Sequence, residues 1–234
     1  MVHFSSPPIL LPPTLEEIRQ EVEQRARTSI RWEYDPTLEG EAAADFDGTQ
    51  PVIRYRSRPL SLEAVAEELL HLKLTLSGHP RLVGPPFPCS ARHAMVMLDA
   101  AVQHCLIYPR LIAMGMGFNP YEGANRAVSR QLERLKEVEE EFHRIATEPD
   151  LCAHFAMVYV RSKLECDAPT LRTEADSIFA HPQLQPSKIV ADRVVEIIQT
   201  QDVSRYEVAK ATLQECLSVL GLDNEIAVGF YLDW

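Results

Sequence analysis

The sequence contains no apolar run that approaches the roughly 18 uninterrupted residues of a membrane span. Its start, MVHFSSPPILLPPT, has a short apolar stretch interrupted by prolines, and it lacks the charged beginning and long apolar run of a signal peptide. These absences argue against a membrane-spanning or secreted protein. We therefore expect a cytoplasmic protein without a membrane partner.

The chain also lacks a CxxC pair, which excludes a zinc ribbon and a thioredoxin-like site. Its cysteines are odd in number and widely spread: Cys89, Cys105, Cys152, Cys166 and Cys216. We expect these to be free, mostly buried thiols in a reducing compartment.

Basic residues are comparatively few, since 23 Lys and Arg stand against 34 Asp and Glu. The formal net charge is −11 and the sequence pI is near 5.2. An acidic surface repels phosphate backbones, which argues against a general nucleic-acid binder.

The composition itself is that of a globular protein, with 46% hydrophobic and 24% charged residues in a chain of 234. Helical spacing runs over about 14–27, and alternation over 29–34 predicts a strand. The turn Asp47-Gly48 between two short apolar stretches predicts a hairpin. A further helix is predicted over 61–77, with Ser61 as its N-cap.

The rest of the chain has mostly helical periodicity from residue 91 onward, with a kink or break predicted at Pro109. Residues 151–166 are apolar enough to predict a helix in the centre of the core. The predicted fold class is therefore α+β, predominantly helical, with a small sheet in the first half.

One face of the helix over 61–77 carries the residues that can perform chemistry. Glu67, Glu68 and His71 lie three and four positions apart, so they project together. The zincin signature is His-Glu-x-x-His, in which two histidines bind zinc and the glutamate acts as general base. Here Glu67 takes the place of the first histidine. A carboxylate also binds zinc, at ~2.0–2.2 Å, so this exchange is chemically permissible.

A third ligand has to come from elsewhere, and the downstream options are His79, His93, Asp99 and His104. His93 and His104 are roughly 16 Å apart along one helix, so both cannot bind one ion. Asp99 lies on a different face from His104. His79 lies in a Pro/Gly loop, from which it could reach many positions, so its place in the sequence does not indicate a ligand. His104 follows two small alanines that leave room for a neighbouring element, and we select it as the third zinc ligand.

The passage from the strand VIRYRS into the helix SLEAVAEELLHLKL is similar to the ImmA/IrrE-like zincin metallopeptidases. In that family a comparable strand enters a helix that reads roughly AHELGH. The segment LDAAVQHCLIYPRLIAMGMGF resembles a downstream ligand helix of some divergent zincin-like bacterial and phage proteins. The resemblance covers about residues 14–118.

The resemblance implies a zincin-like core over residues 1–118, with an active-site helix, and a helical region over 119–234 packed on that core. It assigns the catalytic glutamate to Glu68 and the second histidine to His71. The first histidine corresponds to Glu67, where this chain departs from the family. The implied activity is zinc-dependent cleavage of a protein partner, often a transcriptional repressor.

Other functions fit the same residues, because two glutamates and a histidine on one helix face arise readily by chance. The chain can instead be a catalytically inactive zincin-fold protein, or a helical interaction or regulatory protein. In both cases the acidic face and the long charged helix bind a partner without catalysis. A metal-binding regulatory protein without a hydrolytic step is a third possibility.

Overall fold

The residues that the structure describes are mostly helical, with a small sheet, which confirms the predicted α+β, predominantly helical class. The computed structural model describes residues 2–4, 7–38, 40–56, 59–84, 89–139, 142–224 and 226–229. In these residues, no helix is long and apolar enough to cross a membrane.

The helices are α1 (Pro13–Ala26), α2 (Leu62–Leu76), α3 (Ser90–Ala113), α4 (Pro120–Glu137), α5 (Phe142–Thr147), α6 (Pro149–Leu164), α7 (Pro169–Ile178), α8 (Gln185–Thr200) and α9 (Tyr206–Leu220), with a short 3-10 helix at Pro182–Leu184. The strands are β1 (Val2–Phe4), β2 (Arg31–Tyr34), β3 (Ala42–Asp47), β4 (Gln50–Tyr55), β5 (Arg81–Val83) and β6 (Ala227–Gly229).

The chain divides into two compact units. The first contains the described residues up to His79 together with Ile107–Pro120, and the second contains Pro80–Leu106 and Tyr121–Gly229. Helix α3 is continuous and contributes to both, its last turns belonging to the first unit. The division at residue 118 drawn from the sequence stays a prediction.

A four-stranded sheet in the order β1-β2-β4-β3 belongs to the first unit. Strands β2 and β4 are parallel, whereas the β1–β2 and β3–β4 pairs are antiparallel. The turn between β3 and β4 contains Gly48 at φ +59°, a conformation that glycine adopts at little cost. The hairpin predicted at Asp47-Gly48 is confirmed, and it leaves β3 at the edge of the sheet.

Helix α2 begins where the sequence predicts it to begin. Ser61 has an extended backbone, and its hydroxyl oxygen accepts a hydrogen bond from the Ala64 N–H at 3.1 Å. This satisfies one of the backbone donors that a helix start leaves without an intrahelical partner. The helix predicted over 61–77 is confirmed, with bounds Leu62–Leu76.

One side of α2 packs into the core of the first unit. Val65, Leu69 and Leu72 are at most 1% exposed, as the helical spacing of these apolar residues predicts. Helix α1 packs along α2, and Lys73 Nζ donates to Glu21 Oε2 at 2.5 Å. Burial of this stripe fixes the rotation of α2 about its axis.

Helix α6 lies at the centre of the second unit, as predicted for residues 151–166. Its residues 156–160 are at most 2% exposed, and it packs against α5, α7 and α8. The Tyr159 hydroxyl donates to Asp176 Oδ1 at 2.6 Å, and its ring lies 5.0 Å from that of Phe179. Buried aromatic rings with a bonded polar tip anchor a core in this way.

Pro109 lies inside α3 and does not end it, so the break offered as one alternative at this position is wrong, and the kink stays a prediction. A proline has no N–H, so the carbonyl of Cys105 loses its usual donor one turn later. Both residues are on the exposed side of the helix, where water can hydrate that carbonyl. The helix therefore continues to Ala113.

The neighbouring residues Leu111 and Ile112 offer a matched test of this packing. Leu111 is fully buried and Ile112 is 52% exposed. We expect Leu111→Ala to lower the free energy of unfolding by about 2–5 kcal/mol, because it leaves a cavity. Ile112→Ala should cost less than about 1 kcal/mol. Urea denaturation followed by circular dichroism measures both, and equal losses would contradict the assigned orientation of α3.

Candidate metal centre

Helix α2 places Glu67 and His71 one turn apart on the side opposite its buried stripe. Both side chains are half-buried. Because residues four apart stack on a helix, their donor atoms face the same region of space. The helix is held at its first turn as well, where Glu63 Oε2 accepts from the Asn119 N–H at 2.9 Å.

Helix α3 supplies the third residue, His104, which is 7% exposed. One ligand atom from each of Glu67, His71 and His104 lies within 4.8 Å of the others. Two ligands of a tetrahedral ion, each ~2.1 Å from the metal, are themselves roughly 3.4 Å apart. Small side-chain rotations therefore suffice for these three groups to hold one metal ion.

The donor set fits zinc. Two imidazoles and one carboxylate make the inventory of a catalytic zinc site with three protein ligands. The structure thus brings together the three residues that the sequence singled out as ligands.

Two other residues that the sequence offered as ligands, Asp99 and His93, make different contacts. Asp99 accepts from Arg81 Nε at 2.5 Å, from the Leu82 N–H at 3.3 Å and from Gln103 Nε2 at 3.1 Å. It therefore anchors β5 to α3. The His93 ring is exposed and lies 5.8 Å from the His154 ring.

Glu68, the predicted general base, contacts the edge strand of the sheet. Its Oε2 accepts from the Ala44 N–H at 2.6 Å. In the β3–β4 hairpin Asp47 forms a hydrogen-bonded pair with Gln50 across a two-residue turn. From this pair onward, non-hydrogen-bonded and hydrogen-bonded pairs alternate along the two strands. By that alternation, the Ala44 N–H points away from β4. The Glu68 carboxylate therefore satisfies a backbone donor on the outer edge of β3.

A buried carboxylate that the sequence analysis missed lies next to His104. Glu165, just after α6, is 1% exposed, and its Oε1 is 3.5 Å from His104 Nδ1. Arg161 Nε donates to its other oxygen at 2.8 Å. Burial alone raises the pKa of Glu165, but the charge and hydrogen bond of Arg161, together with His104 when its ring is protonated, outweigh it and lower the pKa to about 2. Glu165 is therefore ionised at neutral pH.

The five cysteines are free, as predicted, but only two of them are buried, which corrects the expectation of mostly buried thiols. Burial raises the pKa of Cys166 to about 11 and that of Cys216 to about 12. Both thiols are protonated at neutral pH and are poor nucleophiles and metal ligands.

Comparison with protein-family models finds no match for this chain. Comparisons with curated proteins and with solved structures find none either. A function for this chain therefore has to be inferred from the side chains described above.

The bond between Glu68 and Ala44 can be tested by amide hydrogen exchange. Glu68→Ala removes the acceptor, so exchange at the Ala44 amide should accelerate by about tenfold or more. Glu68→Gln keeps an acceptor oxygen and should retain most of the protection. The Ala43 amide, which the alternation turns toward β4, is an internal control. Unchanged protection of Ala44 in Glu68→Ala would contradict the contact.

Proposed function

We propose that this protein is a zinc-dependent, metallopeptidase-like protein that cleaves a protein partner through a metal-activated water. Glu67, His71 and His104 are the proposed ligands, and Glu68 is the proposed general base. The observation that carries the proposal is the convergence of three ligand atoms within 4.8 Å. The family likeness and a cytoplasmic location are parts of the same proposal.

The chemistry follows from the donor set. Zinc held by three protein ligands keeps a position for water and lowers the pKa of that water toward neutrality. Glu68, the residue after Glu67 on α2, is the proposed acceptor of the proton that such a water would release. Its bond to the Ala44 N–H fixes the orientation of the carboxylate. Proton uptake by a positioned carboxylate is the role of the glutamate in the zincin signature.

The order of elements supports a zincin-like core. Strand β4 runs into α2 through a short connection that ends at the Ser61 cap, as in the strand-to-helix passage that the sequence resembles. The departure from the family is Glu67 in place of histidine. His104 restores the count of two histidines and one carboxylate.

The same hydrogen bond of Glu68 favours a second candidate function. A carboxylate whose oxygen already accepts a structural N–H at 2.6 Å holds a backbone strand, a role that needs no catalysis. The alternative is therefore a metal-binding regulatory protein or an inactive zincin-fold protein that binds a partner without hydrolysis. Metal content and turnover separate the two functions.

Metal analysis tests the ligand assignment. Protein purified without chelator should contain one zinc per chain, and His71→Ala and His104→Ala should lose it, because each removes one of three ligands. Glu67→Gln, which keeps the side-chain volume, should weaken binding. Mass spectrometry of the metal content gives the stoichiometry, and circular dichroism verifies that each variant is folded.

His93→Ala is the matched control, since it removes an exposed histidine from the same helix as His104. It should bind zinc like the wild type. Stoichiometric zinc in both His71→Ala and His104→Ala would contradict the ligand assignment. A wild-type protein without zinc affinity would contradict the proposed site itself.

Hydrolysis is tested with Glu68→Gln. We expect the wild type to cleave casein or a co-purifying protein, and the variant to keep its zinc while losing activity by about a hundredfold or more. Glu17→Gln, an exposed carboxylate on α1, is the control and should remain active. A wild type that binds zinc but cleaves neither substrate would favour the regulatory function.

A further inference from the structure

We infer that Glu165 is a positioning residue for His104, holding the Nδ1 side of the ring so that Nε2 is the atom presented to the metal. This inference deepens the proposed function and rests on it. Glu165 lies beyond the segment that resembles the zincin family, and it reaches His104 only through the fold.

The geometry assigns one carboxylate oxygen to each neighbour. Glu165 Oε2 accepts from Arg161 Nε at 2.8 Å, and Oε1 faces His104 Nδ1 at 3.5 Å. Among the described residues Oε1 makes no hydrogen bond, and the ring nitrogen is its ion-pair neighbour. The distance is a few tenths of an ångström longer than an ordinary hydrogen bond, so a slight rotation of the ring closes it.

The position of the carboxylate selects the tautomer of the ring. A neutral imidazole carries its proton on one nitrogen, and an acceptor oxygen facing Nδ1 favours the proton there. The lone pair is then on Nε2, on the side of the ring away from Glu165. A carboxylate that accepts from the far nitrogen of a ligating histidine also raises the basicity of the ligand.

Arg161 keeps the buried carboxylate in place. It lies one turn before Glu165 at the end of α6, and its side chain is 16% exposed, so its charge neutralises Glu165 inside the protein. The buried Asp99 is different, because an arginine, a backbone N–H and a glutamine together satisfy it. Asp99 has a structural role, whereas Glu165 has one oxygen, Oε1, that faces His104.

Glu165→Gln tests the inference, because it keeps the side-chain volume and removes the charge. Two quantities are measured on the full chain: the dissociation constant for zinc, by competition with a chelator, and the tautomer of His104 in zinc-free protein, by ¹⁵N NMR of the ring. We expect the dissociation constant to rise by about 10–100-fold. We also expect the Nδ1–H tautomer of the wild type to lose its dominance.

Asp99→Asn is the matched control, a buried carboxylate neutralised on the same helix as His104. It should leave the tautomer and the zinc affinity unchanged, even if it lowers stability. An equal loss of affinity in Asp99→Asn would overturn the inference, since the effect would then be one of general destabilisation. An Nε2–H tautomer in the wild type, or unchanged values in Glu165→Gln, would overturn it as well.

The two proposals can fail separately. If the wild type binds no zinc, the proposed function fails. The tautomer measurement on zinc-free protein still tests Glu165 in that case. A dominant Nδ1–H form that Glu165→Gln abolishes supports the positioning role, and a tautomer that does not respond overturns it.

Discussion

The rotation of α2 about its own axis is the constraint on which the candidate site depends. Val65, Leu69 and Leu72 are buried, and burying one such side chain contributes about 1.5–3 kcal/mol. Turning the helix by one residue position, about 100°, would take this stripe out of its packing, and Ala66 and Leu70, buried on another side of α2, would lose theirs as well. The same burial therefore holds Glu67 and His71 on the other side. A polar arrangement is fixed here by apolar packing, with the Ser61 cap setting where the helix starts.

Much of this local order could be predicted from the sequence, because it depends on residues close together in the chain. The spacing of apolar residues and one serine are enough to define α2, and Asp47-Gly48 is enough to define the hairpin. His104 was preferred because small alanines beside it leave room for a neighbouring element, and the structure places it with Glu67 and His71. Helical spacing indicates which side chains share a face, so it accounts for the pairing of Glu67 with His71 but not for a residue on a second helix.

The parts that could not be predicted depend on contacts between distant residues or on solvent. Arg161 and Glu165 form an ordinary i, i+4 pair in the sequence, and nothing near them indicates that the carboxylate reaches His104. The effect of Pro109 depends on which side of α3 faces water, and the sequence around it does not determine that side. The bond from Glu68 to Ala44 likewise requires the edge strand to lie beside α2.

That bond has a consequence for how the protein meets other copies of itself. An edge strand offers its outward N–H and C=O groups to any extended chain, which can lead to uncontrolled sheet growth. On β3 the outward Ala44 N–H is occupied by Glu68, and the Phe46 N–H is occupied by Asp45 Oδ1 at 2.8 Å. Both acceptors are carboxylates, so a second strand approaching this edge meets occupied donors and negative charge. The glutamate proposed for chemistry thereby also makes the addition of another strand at Ala44 unfavourable.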